Sequence, residues 1–512
     1  MKESSPYNLL KKENSYRNHP KTHYLLLYFI IIFFISTTFT NAFSFSIIGT
    51  SSAEVDPAIL GSAPGRFNSV VADDIDDDGR TEIVFGNYEG YVTVLERRGD
   101  DYFEEWRSPD IGQRVWGIEV ADLMGDSTKE IIAGNGDGEI YVYDAKTHKQ
   151  VWFVEDLTRD VHGLLVHDLG RGGTPYLLAG TGYKTDKDLG IVYIFGTNES
   201  SGKFEHVAEI GQFENRMRGV GVGDVDGDTE LEIVFGSGVT TGERPGEGYI
   251  RVYDVEKVLN KQDDALEWKS ENLKGDCVAL KLADFTNDGV PDIVVGNGYR
   301  YQAGWVRILT YDNDTKKYVE YWKSPDSPDI GPKVFGLDVG DIDGDGNLEI
   351  VVGNLAGYIY IFEQQGSTVI QEWRSKLLGS DIFGIDLYDV DGDGQIEIIA
   401  SQGGYTGKGD YTSGYTEPHI YIIDGKTHKI ETTIGESSYI DIILPIAILI
   451  LFVILLLILN YYAKTRRRLK ELGPDEDIKT KKEPKTVEMT ESKTDLPFRP
   501  DNEHIKKPPG VM

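Results

Sequence analysis

The 512-residue chain is strongly acidic, because 85 Asp and Glu against 52 Lys and Arg give a formal net charge of −33 at pH 7. This charge repels nucleic-acid phosphates and argues against nucleic acid as a partner. Cys277 is the one cysteine, which excludes an intrachain disulfide, and the apolar residues after it predict a buried place in a strand.

The first 42 residues have the composition of a secretion signal. Basic residues precede an unbroken apolar run at 24–35, and small residues follow it up to Ala42, so we expect cleavage after Ala42. The basic segment is long for a signal. An uncleaved anchor formed by residues 24–48 is therefore the alternative.

An acidic loop of nine residues is repeated along the middle of the chain. Its seven copies start about 50 residues apart, at Asp74, Asp122, Asp168, Asp224, Asp284, Asp341 and Asp389. In the clearest copy, Asp341 to Glu349, the side chains at positions 1, 3, 5 and 9 and the carbonyl at position 7 can converge on a hard cation that takes about six to eight oxygens. Gly346 at position 6 lets the backbone reverse. The pattern predicts calcium binding.

The seven loops are not equivalent. Three have every ligand position: Asp74, Asp76, Asp78 and Glu82; Asp341, Asp343, Asp345, Asn347 through its carbonyl, and Glu349; and Asp389, Asp391, Asp393 and Glu397. Two are altered: the fourth has Asp224, Asp226, Asp228 and Glu232 but Thr229 in place of Gly, and the fifth has Asp284, Asp288 and Asp292 but Thr286 at position 3. The second has Met124 at a ligand position, and the third keeps Asp168 alone. We therefore expect three complete calcium sites, two altered ones and two repeats without metal.

Each repeat contains about four short strand-like segments, a period typical of a propeller blade. In the sixth repeat they are residues 334–341, 349–354, 357–362 and 369–374, with the acidic loop between the first two. Phe-Gly or Val-Gly closes the second segment in several repeats, as at Phe85-Gly86-Asn87, Phe235-Gly236-Ser237, Val295-Gly296-Asn297 and Val352-Gly353-Asn354.

With these motifs the chain resembles the FG-GAP (VCBS) repeats of the integrin α-subunit head, whose blades carry a D-x-D-x-D-G-x-x-D loop followed by Phe-Gly. The resemblance extends from about residue 60 to 435 and implies an all-β, seven-bladed β-propeller at residues 54–436. It also implies that ligand binds on the face opposite the acidic loops. Glu at position 9, where the family has Asp, is a departure that puts ligation by that side chain in question.

The connections between the second and third strands of a blade carry the candidate ligand-binding residues. Four of these connections are long and rich in Tyr and Gly, a mixture typical of recognition loops. The candidates are Tyr183, Tyr299, Tyr301, Tyr405, Tyr411 and Tyr415. Long solvated insertions without a ligand are the alternative.

Recurrent Trp and His residues are predicted to be structural. Trp recurs before Arg-Ser or Lys-Ser in the outer strand, for example at Trp106 and Trp373, and a repeated blade position favours packing between blades. His148 and His428 occupy the same Lys-Thr-His-Lys turn in two repeats, which makes them hairpin residues.

The end of the propeller allows two readings. Residues 430–434 resemble the outer strand of the second repeat, so they can complete the seventh blade. In the other reading, residues near 55–60 supply that strand, as in the integrin-like family. We favour the first. It would leave only residues 435–440 before the membrane segment and would turn the Tyr-rich face toward the lipid.

The C-terminal region predicts a membrane anchor. A nearly continuous apolar run supports one transmembrane helix at residues 440–463, and the basic residues that follow mark the cytoplasmic side. Residues 464–512 are polar and predict a disordered cytoplasmic tail, with the propeller extracellular.

These features predict a non-catalytic, calcium-binding propeller anchored in the cell membrane by a single span, for adhesion to or recognition of a surface protein or glycan. Nucleophile-elbow, zinc-protease and phosphate-loop motifs are missing from the sequence. A surface lyase or hydrolase acting on polysaccharide is the alternative, since so acidic a chain offers many carboxylate pairs.

Overall fold

The computed structural model describes residues 69–435, except 158–159, 174, 183–188, 199, 214–215, 240–245, 300–302, 326–329, 367 and 404–418, together with a helix at Tyr439–Glu471. The predicted signal and the predicted tail beyond residue 471 lie outside the described residues. The chain divides into two units at residue 438, and each is described by itself.

The first unit consists of seven antiparallel sheets of four strands, each built from strands consecutive in the chain. The first three blades comprise β1 (Ser69–Asp73), β2 (Glu82–Gly86), β3 (Val92–Arg98) and β4 (Asp101–Arg107); β5 (Val115–Ala121), β6 (Glu130–Asn135), β7 (Ile140–Asp144) and β8 (Gln150–Val154); and β9 (Val161–His167), β10 (Tyr176–Thr181), β11 (Gly190–Thr197) and β12 (Phe204–Phe213).

The remaining four blades follow the same plan. They comprise β13 (Arg216–Gly223), β14 (Glu232–Val239), β15 (Glu247–Asp254) and β16 (Leu266–Lys269); β17 (Asp276–Ala283), β18 (Asp292–Gly298), β19 (Gly304–Asp312) and β20 (Lys317–Lys323); β21 (Val334–Gly340), β22 (Glu349–Asn354), β23 (Ile359–Gln365) and β24 (Thr368–Arg374); and β25 (Ile382–Tyr388), β26 (Glu397–Gln402), β27 (Ile420–Asp424) and β28 (Ile430–Ile434). The predicted all-β, seven-bladed propeller is confirmed.

The blades close into a ring through their faces. The first strand of every blade contacts the first strand of the next, and that of the seventh contacts that of the first. One buried hydrophobic cluster lies at each of the seven junctions. At the closing junction, Val70 and Phe85 of the first blade share a cluster with Ile399 and Ile420 of the seventh. Mutual burial of neighbouring faces therefore holds the ring.

The outer strand of the seventh blade is β28, which pairs with β27 in register from Ile420 opposite Ile434. The favoured reading of residues 430–434 is confirmed. The first and seventh blades also share a hydrogen bond in which the Ala72 amide donates to Asp386 Oδ2 at 2.7 Å.

The glycine of the Phe-Gly and Val-Gly motifs is required by packing between blades. A Cβ on Gly86 would lie 2.4 Å from Val115 Cγ1 of the next blade, and a Cβ on Gly353 would lie 2.4 Å from Ile382 Cγ2. Real side chains do not approach so closely. The motif therefore marks the place where the second strand meets the first strand of the following blade.

The recurrent Trp residues pack between blades as predicted, and the ring that each contacts is a histidine of the predicted hairpin turn. The Trp106 ring stacks on His148 of the next blade with centroids 4.8 Å apart, and Trp373 stacks on His428 at 5.1 Å. Cys277 is completely buried in β17, also as predicted.

Two helices complete the described part of the chain. The short α1 (Val255–Leu259) begins after Asp254, whose side chain accepts a hydrogen bond from the Lys257 amide, and it replaces the usual turn between third and fourth strands. The second unit contains α2 (Tyr439–Glu471), and its segment Ala447–Arg468 has the length and mean hydropathy, 2.3, of a candidate membrane span.

Candidate functional site

The acidic loops are anchored in the junctions between blades. Position 2 of all seven loops is apolar and almost completely buried, at Ile75, Leu123, Leu169, Val225, Phe285, Ile342 and Val390. Each of these residues belongs to a hydrophobic cluster between blades. The loop conformation is therefore coupled to the packing of neighbouring blades.

Position 1 organises the turn of each complete loop. In the sixth loop, the Asp345 amide donates to Asp341 Oδ1 at 3.1 Å, and the Gly346 amide donates to Asp341 Oδ2 at 2.9 Å. The first and seventh loops repeat both bonds. Gly346 has a φ of +90°, where a side chain would be strained.

The carboxylate at position 9 of the sixth loop uses one oxygen in a hydrogen bond to the loop backbone and has the other available for a ligand. Glu349 Oε2 accepts a hydrogen bond of 2.8 Å from the Ile342 amide, whereas Oε1 is buried and has no hydrogen-bond partner among the described residues. Burial and the nearby Asp343 and Asp341 raise the pKa of Glu349 to about 8, which shows how poorly the bare carboxylate is solvated. A cation would compensate that charge, so the longer Glu suits position 9.

Four loops bring three acidic side chains together with ligand atoms within 4.8 Å of one another. The groups are Asp74, Asp76 and Asp78; Asp224, Asp226 and Glu232; Asp341, Asp343 and Glu349; and Asp389, Asp391 and Glu397. Asp345 and Asp393 lie in the same turns, where each accepts a hydrogen bond from the amide two residues on. The Asn347 side-chain nitrogen donates to Asp345 Oδ2 at 2.9 Å, and its backbone carbonyl is the predicted ligand at position 7.

The other loops are arranged differently. In the fifth, Asp292 Oδ2 accepts from the amides of Phe285 and Thr286, and its shorter side chain does not join Asp284 and Asp288 in a group of three. In the second, Glu130 Oε2 accepts in the same way from Leu123 and Met124. The third has Tyr176 at position 9. Hard-cation ligands therefore converge in the first, fourth, sixth and seventh loops.

A second constellation lies on the opposite face, where the first strands begin. One equivalent position in blades two to seven carries charges that alternate in sign: Arg114, Asp160, Arg216, Asp276, Lys333 and Asp381. The equivalence follows from strand register, because the next residue pairs with the second strand just after its glycine, as Val115 does with Asn135 and Val334 with Asn354. We call these six residues the charged ring.

Neighbouring members of the charged ring interact. Lys333 Nζ lies 2.5 Å from Asp276 Oδ2, and the two side chains are only 3% and 1% exposed. Although burial opposes ionisation, Lys333, Arg218 and Arg216 hold the pKa of Asp276 below its ordinary value. Burial, with Arg218 and Arg216 adding repulsion, lowers the pKa of Lys333 to about 7.

Two residues further along the first strands lies a group that we call the axial cluster: Trp116, His162, Arg218, Phe335 and Phe383. The Arg218 guanidinium carbon is 5.9 Å from the ring centroids of both Trp116 and Phe335, which belong to blades two and six. The Trp116 and His162 rings are 5.0 Å apart, and those of Phe335 and Phe383 are 4.4 Å apart. Arg218 therefore reaches between aromatic rings from well-separated blades.

Several polar atoms at this end of the propeller are buried without a hydrogen-bond partner in the described part of the chain. They are Trp116 Nε1, His162 Nε2, Arg218 Nε and Asp276 Oδ1. Burial and the nearby Arg216 lower the pKa of Arg218 to about 10, so it remains charged at neutral pH. Burial, Arg218 and Arg216 lower the pKa of His162 well below its ordinary value, which keeps that ring neutral. Two donors, Trp116 Nε1 and Arg218 Nε, and two acceptors, His162 Nε2 and Asp276 Oδ1, are therefore buried at this end of the propeller.

Sequence reasoning missed both the charged ring and the axial cluster. The available signal was the alternation of charge at one position when the blades are aligned on their acidic loops. Of the predicted ligand-binding tyrosines, Tyr299 is described, and its ring lies 6.0 Å from that of Trp305. Tyr183, Tyr301, Tyr405, Tyr411 and Tyr415 lie outside the described residues.

Fold and site together define a seven-bladed propeller of repeats with acidic loops. The FG-GAP-like repeat family matches residues 74–133, 284–352 and 341–400. The chain therefore contains FG-GAP-like repeats, and its resemblance to the integrin α-subunit propeller is consistent with them. Among solved structures, that of Saccharomyces cerevisiae Sqt1 is similar with a TM-score of 0.45 and 12% identity, covering 72% of this chain and 88% of that one.

Two lambda-carrageenases, from Pseudoalteromonas sp and Pseudoalteromonas carrageenovora, are each 25% identical to this chain, over 251 and 252 residues. The match covers 47% of this chain and 24% of each relative, so the chain spans about a quarter of their length. The prediction that the chain is not an enzyme is contradicted by this similarity, since both relatives are enzymes.

Proposed function

We propose that the chain is a calcium-binding propeller, anchored in the cell membrane, that binds polysaccharide between the charged ring and the axial cluster. The observation that carries this proposal is the set of buried, unpartnered polar atoms beside the Trp116 and Phe335 rings. Aromatic faces with a few convergent polar groups are the usual composition of a small-molecule or sugar site. Similarity to the carrageenases supports polysaccharide as the ligand class.

The proposed calcium sites are in the first, fourth, sixth and seventh loops. Their carboxylate oxygens are the ligands that calcium prefers, and Glu349 Oε1, which has no hydrogen-bond partner among the described residues, can serve as one of them. Because position 2 of each loop is buried between blades, bound calcium would stabilise the ring. It would lie on the face opposite the polysaccharide.

The proposed anchor is the candidate span Ala447–Arg468. Basic residues at its end, including Arg466, Arg467 and Arg468, favour the cytoplasmic side for the following tail. The propeller would then face the outside, where millimolar calcium and surface polysaccharides are available.

A second candidate function is turnover of the bound polysaccharide. It is favoured by the carrageenase similarity and by Asp160, whose Oδ2 atom lies 3.6 Å from His162 Nε2 at the same site. Burial raises the pKa of Asp160 despite Arg216, Arg218 and Arg114. A carboxyl group and a neutral imidazole at one site are the kinds of group that serve as general acid and general base.

The test uses the full chain in detergent, presented to a panel of immobilised neutral and acidic polysaccharides, with chromatography of any soluble products. We expect binding by the unaltered chain and at least tenfold weaker binding by Trp116→Ala. Phe103→Ala, an exposed aromatic residue on the outer strand β4, is the matched control and should bind normally. Binding to no polysaccharide would overturn the proposal, and shortened products would establish the second candidate.

A further inference from the structure

We infer that the polysaccharide is acidic and that Arg218 binds its carboxylate or sulfate group, an inference that rests on the proposed function. The first argument is the position of Arg218. Its guanidinium carbon is 5.9 Å from the rings of both Trp116 and Phe335, so a sugar packed on either ring would bring its substituents to the guanidinium.

The second argument is that no ion pair joins Arg218 to any residue described. Asp276 and Asp160 act on Arg218 only from beyond ion-pair distance, and Asp276 is instead bound to Lys333 at 2.5 Å. Arg216 and Arg114 add positive charge to the surroundings of Asp160 and Arg218. A buried guanidinium with an unpartnered Nε is costly unless an anion occupies the site.

The third argument is chemical fit. A planar guanidinium matches the oxygens of a carboxylate or sulfate in a paired geometry. Trp116 Nε1 can donate to a sugar oxygen, while His162 Nε2 and Asp276 Oδ1 can accept from sugar hydroxyls. A neutral sugar would form hydrogen bonds with Trp116, His162 and Asp276 but would leave the charge of Arg218 buried and unpaired.

The acidic character of the whole chain does not oppose this ligand at close range. The acidic loops lie on the other face, and charges separated by more than about 10 Å are largely screened at physiological salt. In the charged ring, the three basic members, Arg114, Arg216 and Lys333, equal the acidic members in number, so the ring adds no net negative charge around Arg218.

The test compares matched polymers that differ in charge alone: polygalacturonate with its methyl ester, and lambda-carrageenan with its desulfated product. The probe protein is the full chain in detergent, measured by equilibrium binding. We expect the charged member of at least one pair to bind tenfold or more tightly, and the pair that responds separates a carboxylate from a sulfate ligand. Arg218→Met should remove that preference.

Arg218→Lys keeps the charge but not the paired geometry, and we expect it to retain a weaker preference than the unaltered chain. Arg171→Gln removes a guanidinium that is bound to Glu256 near the acidic loops, and it should leave the preference unchanged. Thermal midpoints of all variants, measured in parallel, distinguish lost binding from lost folding. Equal binding of charged and neutral members would overturn the inference and leave the proposed function intact, whereas no binding of any polymer would overturn both.

Discussion

The two faces of the propeller use charge in opposite ways. On one face, acidic side chains of one sign recur in blade after blade with the same hydrogen bonds, as Asp74, Asp341 and Asp389 show. On the other, a single blade position changes sign from one blade to the next around the charged ring. The acidic loop recurs because it forms part of the structure of every blade. The charged ring, in contrast, arises because one strand position carries a different charge from blade to blade. The first face is therefore expected to control stability and the second to control binding.

The largest expected effect comes from removing calcium. At a concentration about ten times the dissociation constant, each site contributes roughly 1.4 kcal/mol, so four sites contribute about 6 kcal/mol and a shift of the thermal midpoint on the order of 10 °C. Differential scanning calorimetry with and without a chelator measures this shift. At temperatures well below the thermal midpoint, removal of calcium should change the affinity for polysaccharide by less than about twofold. Complete loss of polysaccharide binding on chelation would show that the two faces do not act separately.

The charged ring can be tested through its buried ion pair. Lys333→Met leaves Asp276 charged and buried without its partner, which should cost about 3–5 kcal/mol of unfolding free energy. Replacing both residues, with Lys333→Met and Asp276→Leu, should recover most of that loss. Chemical denaturation of the two single variants and the double variant measures the coupling. Additive losses would mean that the pair is not an interacting unit.

The sequence was sufficient for the features that repeat. Seven acidic loops in register predicted seven blades, and the recurrent Trp106 predicted packing between blades, because a position kept in many repeats must meet the same neighbour each time. The sequence was also sufficient to identify β28 as the outer strand of the last blade, since its turn repeats that of the second blade.

Features that occur once could not be predicted in the same way. The charged ring depends on which residues of different blades converge at the axis, and no local pattern marks that convergence. The short helix α1 has no counterpart among the described residues of the other blades. The hydrogen bonding of the position-9 carboxylate also differs between loops: Asp292 uses one oxygen for two amides, whereas Glu349 keeps one oxygen without a hydrogen-bond partner among the described residues.

A smaller effect separates one acidic loop from another. Asp343→Ala removes a member of the sixth carboxylate group and should abolish that site's share of the calcium-induced shift, about 1.4 kcal/mol. Asp168→Ala, in the third loop with Tyr176 at position 9, is the matched control and should keep the whole shift. Calorimetry with calcium titration measures both variants, and equal losses would show that the ranking of the loops is wrong.

The smallest expected effect concerns backbone strain within the acidic face. Thr229 in the fourth loop has a φ of +78° and Ser127 in the second has a φ of +68°, so both occupy the region that favours glycine. Thr229→Gly should stabilise the chain by about 0.5–1 kcal/mol, because relief of strain exceeds the entropy lost by glycine on folding.

The two substitutions should differ in their effect on calcium. The fourth loop gathers Asp224, Asp226 and Glu232, so relaxing its turn should also tighten calcium binding, whereas Ser127→Gly should stabilise without adding a calcium site. Isothermal titration measures the calcium affinity of each variant, and a thermal melt in the presence of a chelator measures the stability change without calcium. Together they distinguish relief of backbone strain from a change in calcium binding. A gain in calcium affinity for Ser127→Gly would mean that turn geometry rather than the carboxylate set decides which loops bind metal.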